Sequence, residues 1–213
     1  VAPLQRARGD EPGALQARIL HRMDPSALRA IQAEHQALAA MLRSLVMLID
    51  RARDTMQPPP FDVMRAMLFY IDEFPERLHH PKESHLLFPK VRARRPDLAA
   101  VFDSLDDDHH RGEASARDLQ HRLLAYELLG EPRREAFEAA ARRYVDNYLR
   151  HMSLEESTVL PAAREALLPE DWHDLNAAFE ANRDPLAGHD PSGEYAPLFR
   201  KIVNTAPAPV GLG

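Results

Sequence analysis

FEAAARRYVDNYLRHMSLEESTVLP, residues 137–161, is the stretch on which the fold turns. Its apolar residues Phe137, Ala141, Tyr144 and Tyr148 recur in steps of four, three and four, the spacing of one face of an α-helix. The same stripe continues through His151 to Glu155. A carboxylate thus stands where the core of a helical bundle is expected. A buried ionised group is costly unless something compensates it, so the stripe predicts a partner such as a cation.

The flanking segments repeat the pattern. From Asp24 and Pro25, an N-cap followed by proline at the first helical position, Leu28, Ile31, Leu38, Leu42, Leu45 and Ile49 form a stripe whose single seven-residue gap is filled by His35. MQPPP at 56–60 closes that helix near Asp54. Residues 61–94 are helical in composition, but Pro75 and Pro81 are expected to kink or restart the helix. Between Pro96 and Gly130 the stripe is Leu98, Val101, Leu105, Gly112, Ala116, Leu119 and Leu123; His109 fills its gap and His110 falls outside it. Pro132 opens the helix that carries the first stretch.

Four long helices with short connections predict an all-α, up-and-down four-helix bundle over residues 24–166. Residues 1–23 are expected as an N-terminal extension. Residues 167–213 are expected to add helices over 170–182 and 195–204, then TAPAPVGLG as an extended or disordered arm. Eight glycines and no alternating β-branched runs predict no strands.

Composition excludes several function classes. The chain has 213 residues, a net charge of -6 and no cysteine. Thiolate zinc sites, iron–sulfur clusters and cysteine nucleophiles are ruled out, and general nucleic-acid binding is disfavoured. No stretch reaches the roughly 18 apolar residues of a membrane span, and VAPLQRARGDEPG lacks the apolar core of a signal peptide, so a cytoplasmic protein without membrane contact is expected. No phosphate loop, nucleophile elbow or dinucleotide fingerprint is present. Eleven histidines among 33 acidic residues are the ligand chemistry of a nitrogen and oxygen metal site.

An internal repeat gives the strongest signal. His35 precedes His79 by 44 residues and His109 precedes His151 by 42. His79, Glu83 and Pro89 then stand at the same mutual offsets as His151, Glu155 and Pro161. Residues four apart share a helical face, so each half offers one lone histidine and one His/Glu pair. Two facing halves would gather four imidazoles and two carboxylates, the set for two metal ions bridged by carboxylates.

These motifs, AEHQAL around His35, LHHPKESHLLFP around His79 and Glu83, LDDDHHRGE around His109 and RHMSLEESTVLP around His151 and Glu155, resemble those of the hemerythrin-like family, specifically the bacterial HHE cation-binding domains. The resemblance implies a four-helix bundle around two iron ions (Fe2+/Fe3+), with an oxo, hydroxo or water bridge and zinc or manganese as alternatives. It makes His35, His79, His109 and His151 terminal ligands and Glu83 and Glu155 the bridges. The oxygen-carrier branch has a second histidine on its third helix, where this chain has Glu113. It also sets its last carboxylate five residues after the histidine, which would select Glu156; the internal repeat favours Glu155. Glu113 is expected either as an added anionic ligand, favouring the ferric state, or as an outer or surface residue.

His80 and His85 are weaker candidates, and His21, His121, His173 and His189 are expected on the surface. Tyr144 and Tyr148 are expected to pack in the core, or to donate toward a ligand on the metal. The expected function is binding of dioxygen, nitric oxide or peroxide for sensing, storage or transfer. The alternatives are a di-iron redox enzyme acting on peroxide, nitric oxide or ferrous iron, toward which Glu113 tilts, and a metal-stabilised module docking a partner through its fifth helix and arm. A homodimer is compatible with the sequence.

Overall fold

The computed structural model describes residues 25–190 and 193–213. The expected cap at Asp24, His21 and the extension at 1–23 lie outside them. Among the described residues every regular element is helical. None of the described helices is long and apolar enough to cross a membrane.

Helix α1 (Ser26–Thr55) starts one residue later than the Asp24-Pro25 signal suggests, with Pro25 as its cap and the Pro25 carbonyl accepting from the Leu28 and Arg29 N–H groups. Helix α2 spans residues 61–94, α3 is Ala99–Leu129, and α4 spans residues 134–166. The third helix ends at Gly130, whose φ of 75° suits glycine. Each of the four packs against its neighbours in sequence, and α4 closes the ring against α1. The all-α bundle with added C-terminal helices is the architecture the stripes predict.

The prolines of α2 do not break it, contrary to expectation. Around Pro75 the helix widens into a π-helical stretch, Asp72–His79, after which His80 N–H donates to the Pro75 carbonyl five residues back. The wider turn absorbs the missing proline N–H and the clash of its ring with the preceding turn. Pro81 and Pro89 sit in the first turn of the α-helical pieces His80–Lys82 and Phe88–Arg94, where that N–H is not needed.

The apolar core is divided in two. One cluster gathers Leu38, Leu42, Leu45, Met64, Met67 and Phe137. The other gathers Leu28, Ile31, Phe88, Phe102, Leu105 and Val159. Helix α5 (Pro169–Glu180) adds Trp172, Leu175 and Phe179 to the second cluster. Helix α6 (Ala196–Thr205) adds Phe199 and Ile202 to the first. The tail is not the extended arm expected from its composition. Ser44, fully buried on α1, donates to the Pro207 carbonyl at 2.9 Å and accepts from Val210 N–H at 3.2 Å, while Leu212 N–H reaches the Val203 carbonyl. A buried hydroxyl needs partners, and the folded tail supplies them.

Replacing Phe179 by Ala is expected to cost about 3–5 kcal/mol of stability, as a large ring leaves a well-packed core. Urea unfolding of both proteins measures it; a loss under about 1 kcal/mol would show that α5 packs only loosely.

Candidate metal centre

The layer between the two cores is polar. His35 lies between Ile31 and Leu38, His79 and Glu83 between Phe74 and Leu87, His109 between Leu105 and Ala116, and His151 and Glu155 between Tyr148 and Val159. Both His/Glu pairs end on the same local device. The helix is π-helical over Glu83–Leu87 and again over Glu155–Val159. In each, the residue before the proline, Phe88 or Leu160, donates its N–H to the glutamate carbonyl five residues back. The internal repeat of sequence is therefore also a repeat of backbone conformation.

Six side chains converge in this layer, none more than 8% exposed. The Nε2 atoms of His35 and His79 are 3.1 Å apart, and those of His109 and His151 are 3.0 Å apart. Such separations are the edges of a coordination polyhedron with nitrogen–metal bonds of about 2.0–2.1 Å. Glu83 Oε1 faces the first pair, 3.2 Å from His79 and 3.9 Å from His35, while its Oε2 lies 3.5 Å from His109. Glu155 mirrors it: Oε2 is 3.3 Å from His35, and Oε1 is 3.3 Å from His151 and 3.7 Å from His109. Each carboxylate thus offers one oxygen to each histidine pair. None of these four oxygens has a hydrogen-bond partner, although Glu83 and Glu155 are fully buried. Unsatisfied buried anions facing bare imidazole nitrogens fit two cations held between the pairs.

Outer residues fix the rings. His79 Nδ1 donates to Glu34 at 2.5 Å, and Asn182, just beyond α5, donates to both oxygens of Glu34 at 2.9 and 3.0 Å. His35 Nδ1 lies 3.2 Å from Glu156, and His109 Nδ1 lies 2.8 Å from Ser84 Oγ, which donates to Asp106. Partners at Nδ1 set ring orientation and leave Nε2 free to ligate.

The electrostatics describe a site balanced by protons when no metal is bound. Burial opposes charge on His79, but Glu83 and Glu34 outweigh it and hold the imidazole well above its ordinary range. Burial likewise opposes His151, yet Glu155 raises it to about 9. His109 and His80 are pushed down, chiefly by burial and then by neighbouring imidazolium charge. Burial and the charge of Glu155 push Glu83 up; burial acts the same way on Glu155, but His151 outweighs it and keeps that carboxylate low.

Not every sequence candidate joins the cluster. Glu113 points to solvent and pairs with Arg117 on the same helix, so the reading of it as a ligand is corrected: the residue one turn after His109 faces outward, and Gly112 takes the inward place. Glu156 is also exposed and lies on the Nδ1 side of His35, outside the layer that holds Glu155. His85, His110, His121, His173 and His189 are exposed. His80, a weaker candidate by sequence, is 4% exposed and stacked on His109. Glu34 and Asn182 had no signal, because their partner is fixed only by tertiary packing. Solvent reaches the layer by two grooves. One of about 530 Å³ runs between α3 and α4 past His109, Tyr148 and His151. The other, about 630 Å³, runs between α1 and α4 past His35, Met152 and Glu156.

The model of the hemerythrin HHE cation-binding domain matches residues 26–163, well over half of the chain, and the chain belongs to that family. No curated protein matches it. The matched residues contain all four bundle helices except the last turn of α4, and the whole polar layer apart from Asn182.

The pH dependence of the metal-free protein follows from the histidine shifts. His79 and His151 titrate higher folded than unfolded, so their contribution is complete below about pH 6.5 and is lost on the alkaline side; that of His151 is lost as pH rises through about 9 and is worth roughly 3 kcal/mol. His80 and His109 titrate lower folded than unfolded, so stability also falls as pH drops below about 6.5. Thermal melts across pH 5–10 should show a maximum near pH 6.5 without metal, and loss of the alkaline decline once metal replaces the protons. A flat alkaline limb in the metal-free protein would contradict the proton balance.

Proposed function

We propose that this member of the HHE cation-binding family is a di-iron protein that binds dioxygen or a related small ligand, such as nitric oxide or peroxide, for sensing, storage or transfer. The observation that carries the reading is the four unpartnered oxygens of Glu83 and Glu155, each turned toward a histidine pair in an otherwise apolar bundle. His35 and His79 would hold one ion, His109 and His151 the other, and the two glutamates would span both. The donor set is all imidazole and carboxylate, which suits iron, with manganese and zinc as chemically allowed substitutes. Iron there would supply a change of oxidation state and an open coordination position for a diatomic ligand.

The chain's own contribution is arrangement and exclusion. Glu34, Glu156 and Ser84 hold three rings at Nδ1, so little reorganisation accompanies metal uptake. The apolar clusters on either side keep bulk water away from the ligand layer, and the two grooves give small molecules a route to its edges. With Glu113 on the surface and paired with Arg117, the feature that tilted the reading toward a redox enzyme is gone. On α5, Trp172, Leu175 and Phe179 turn onto the bundle, so those side chains are not the free surface a docking module would use.

Anaerobic loading with Fe(II) is expected to give about two ions per chain with release of the protons held at His79 and His151. Mixing the loaded protein with oxygen in a stopped-flow spectrometer should then yield a stable coloured adduct that argon reverses. Continuous turnover would favour the enzyme, and a chain that refuses Fe(II) would sink the dimetal reading. His109→Ala should lose one ion or hold it at least tenfold more weakly, whereas His110→Ala should change occupancy little.

A further inference from the structure

Behind the His35/His79 pair lies a small cavity. Leu38 of α1 and Phe74 and Leu78 of α2 give it apolar walls, and Glu34, Asn182 and Asp184 close it on the side away from the bundle axis. About 10 Å³ is open to the centre of a water-sized molecule, room for one small guest. Every polar side chain around it already has a partner. Glu34 accepts from Asn182 and His79, and Asn182 accepts from Lys82. Asp184 accepts from the Tyr70 hydroxyl at 2.6 Å and from Leu186 N–H at 2.9 Å. His35 meets Glu156 with Nδ1 and faces His79 with Nε2. A buried water needs about two to four polar partners, whereas an apolar molecule needs none.

One wall comes from outside the matched domain. Asn182 and Asp184 lie beyond residue 163 and flank Arg183, whose φ of 48° is a left-handed conformation uncommon for a residue with a Cβ. The reversal there leaves Arg183 exposed and buries both neighbours. Asn182 ties the segment to α1 through Glu34, and Asp184 ties it to α2 through Tyr70. Beyond this lid, a surface groove of about 380 Å³ between α2 and residues 182–190 shares Phe74, Leu78 and Asn182 with the cavity. Phe74 and Asn182 are buried, but Leu78 is 37% exposed, so it is the shared side chain that meets solvent on one face and the cavity on the other.

We propose that the cavity is a docking site for one molecule of an apolar gas, entered from this groove past Leu78 and held against the His79 ring on its Glu34 side. The proposal rests on the ligand-binding reading above and narrows it. Dioxygen and nitric oxide suit a site with no hydrogen bond to give, whereas peroxide would lose its hydration there without replacement. A gas molecule docked in the cavity is concentrated beside one metal position, on the outer face of its ligands.

Xenon is the probe, because it enters apolar cavities without any metal. Crystals of the metal-free wild-type chain under xenon pressure should hold one xenon atom between Leu38, Phe74 and Leu78, and Leu38→Phe, which fills that space, should exclude it. On the Fe(II)-loaded wild-type protein, dissolved xenon should slow the association of dioxygen severalfold. Leu78→Ala, which widens the entrance, should speed it severalfold. If Leu38→Phe does not fold, the competition between xenon and dioxygen in the wild-type protein decides. No xenon in the wild-type cavity, or xenon there with dioxygen association unmoved by xenon and by Leu78→Ala, would overturn the inference and leave the dimetal reading intact. A chain that takes up no Fe(II) would overturn both.

Discussion

Glu83 and Glu155 stand fully buried and unbonded in the middle of a helical bundle, and the rest of the structure is arranged around the positive charge they require. Two carboxylates in a dry layer repel one another and lose their hydration, so they persist only if cations or protons lie between them. In the metal-free chain, His79 and His151 supply that charge as imidazolium. The same nitrogens, once deprotonated, are ligands. One constraint therefore explains both why the histidines are where they are and why proton and metal should compete for them.

The polar layer costs the bundle a continuous core, and the fold answers with two cores. Each has its own C-terminal cover: α5 on the cluster around Leu28 and Phe102, α6 and the tail on the cluster around Leu42 and Phe137. The covers also reach the layer. Asn182 holds Glu34, which holds His79, and the Phe179 and His79 rings meet edge to face with centroids 5.9 Å apart. The C-terminal region is thus built into the support of the centre.

Proline organises the ligand helices without breaking them. At Pro89 and Pro161 the chain meets the missing N–H by widening the preceding turn, and in both helices that wider turn begins at the inward glutamate. A π-helical turn rotates and displaces the residues around it, so a ligand can be brought inward without bending the helix as a whole. Pro75 does the same one stretch earlier, just before His79 and His80.

The sequence by itself determined the helices, the bundle and six of the seven residues it proposed for the layer that the structure gathers: His35, His79, Glu83, His109, His151 and Glu155. It could do so because helical period and internal repetition are local properties, and every one of these residues lies on a stripe or repeats an offset. Only the tertiary structure decided the rest. Glu113 shares a turn with His109 but not a direction, and the inward place beside it belongs to Gly112, because Glu76 and Tyr148 arrive there from other helices. His80 sits off the His79 to Glu83 face, and the tail has a composition read as extended, yet each is fixed by partners far away in sequence: His80 between Glu76 and His109, the tail on buried Ser44. A periodicity records which face of a helix turns inward; it holds no information about which side chain of another helix will meet it there.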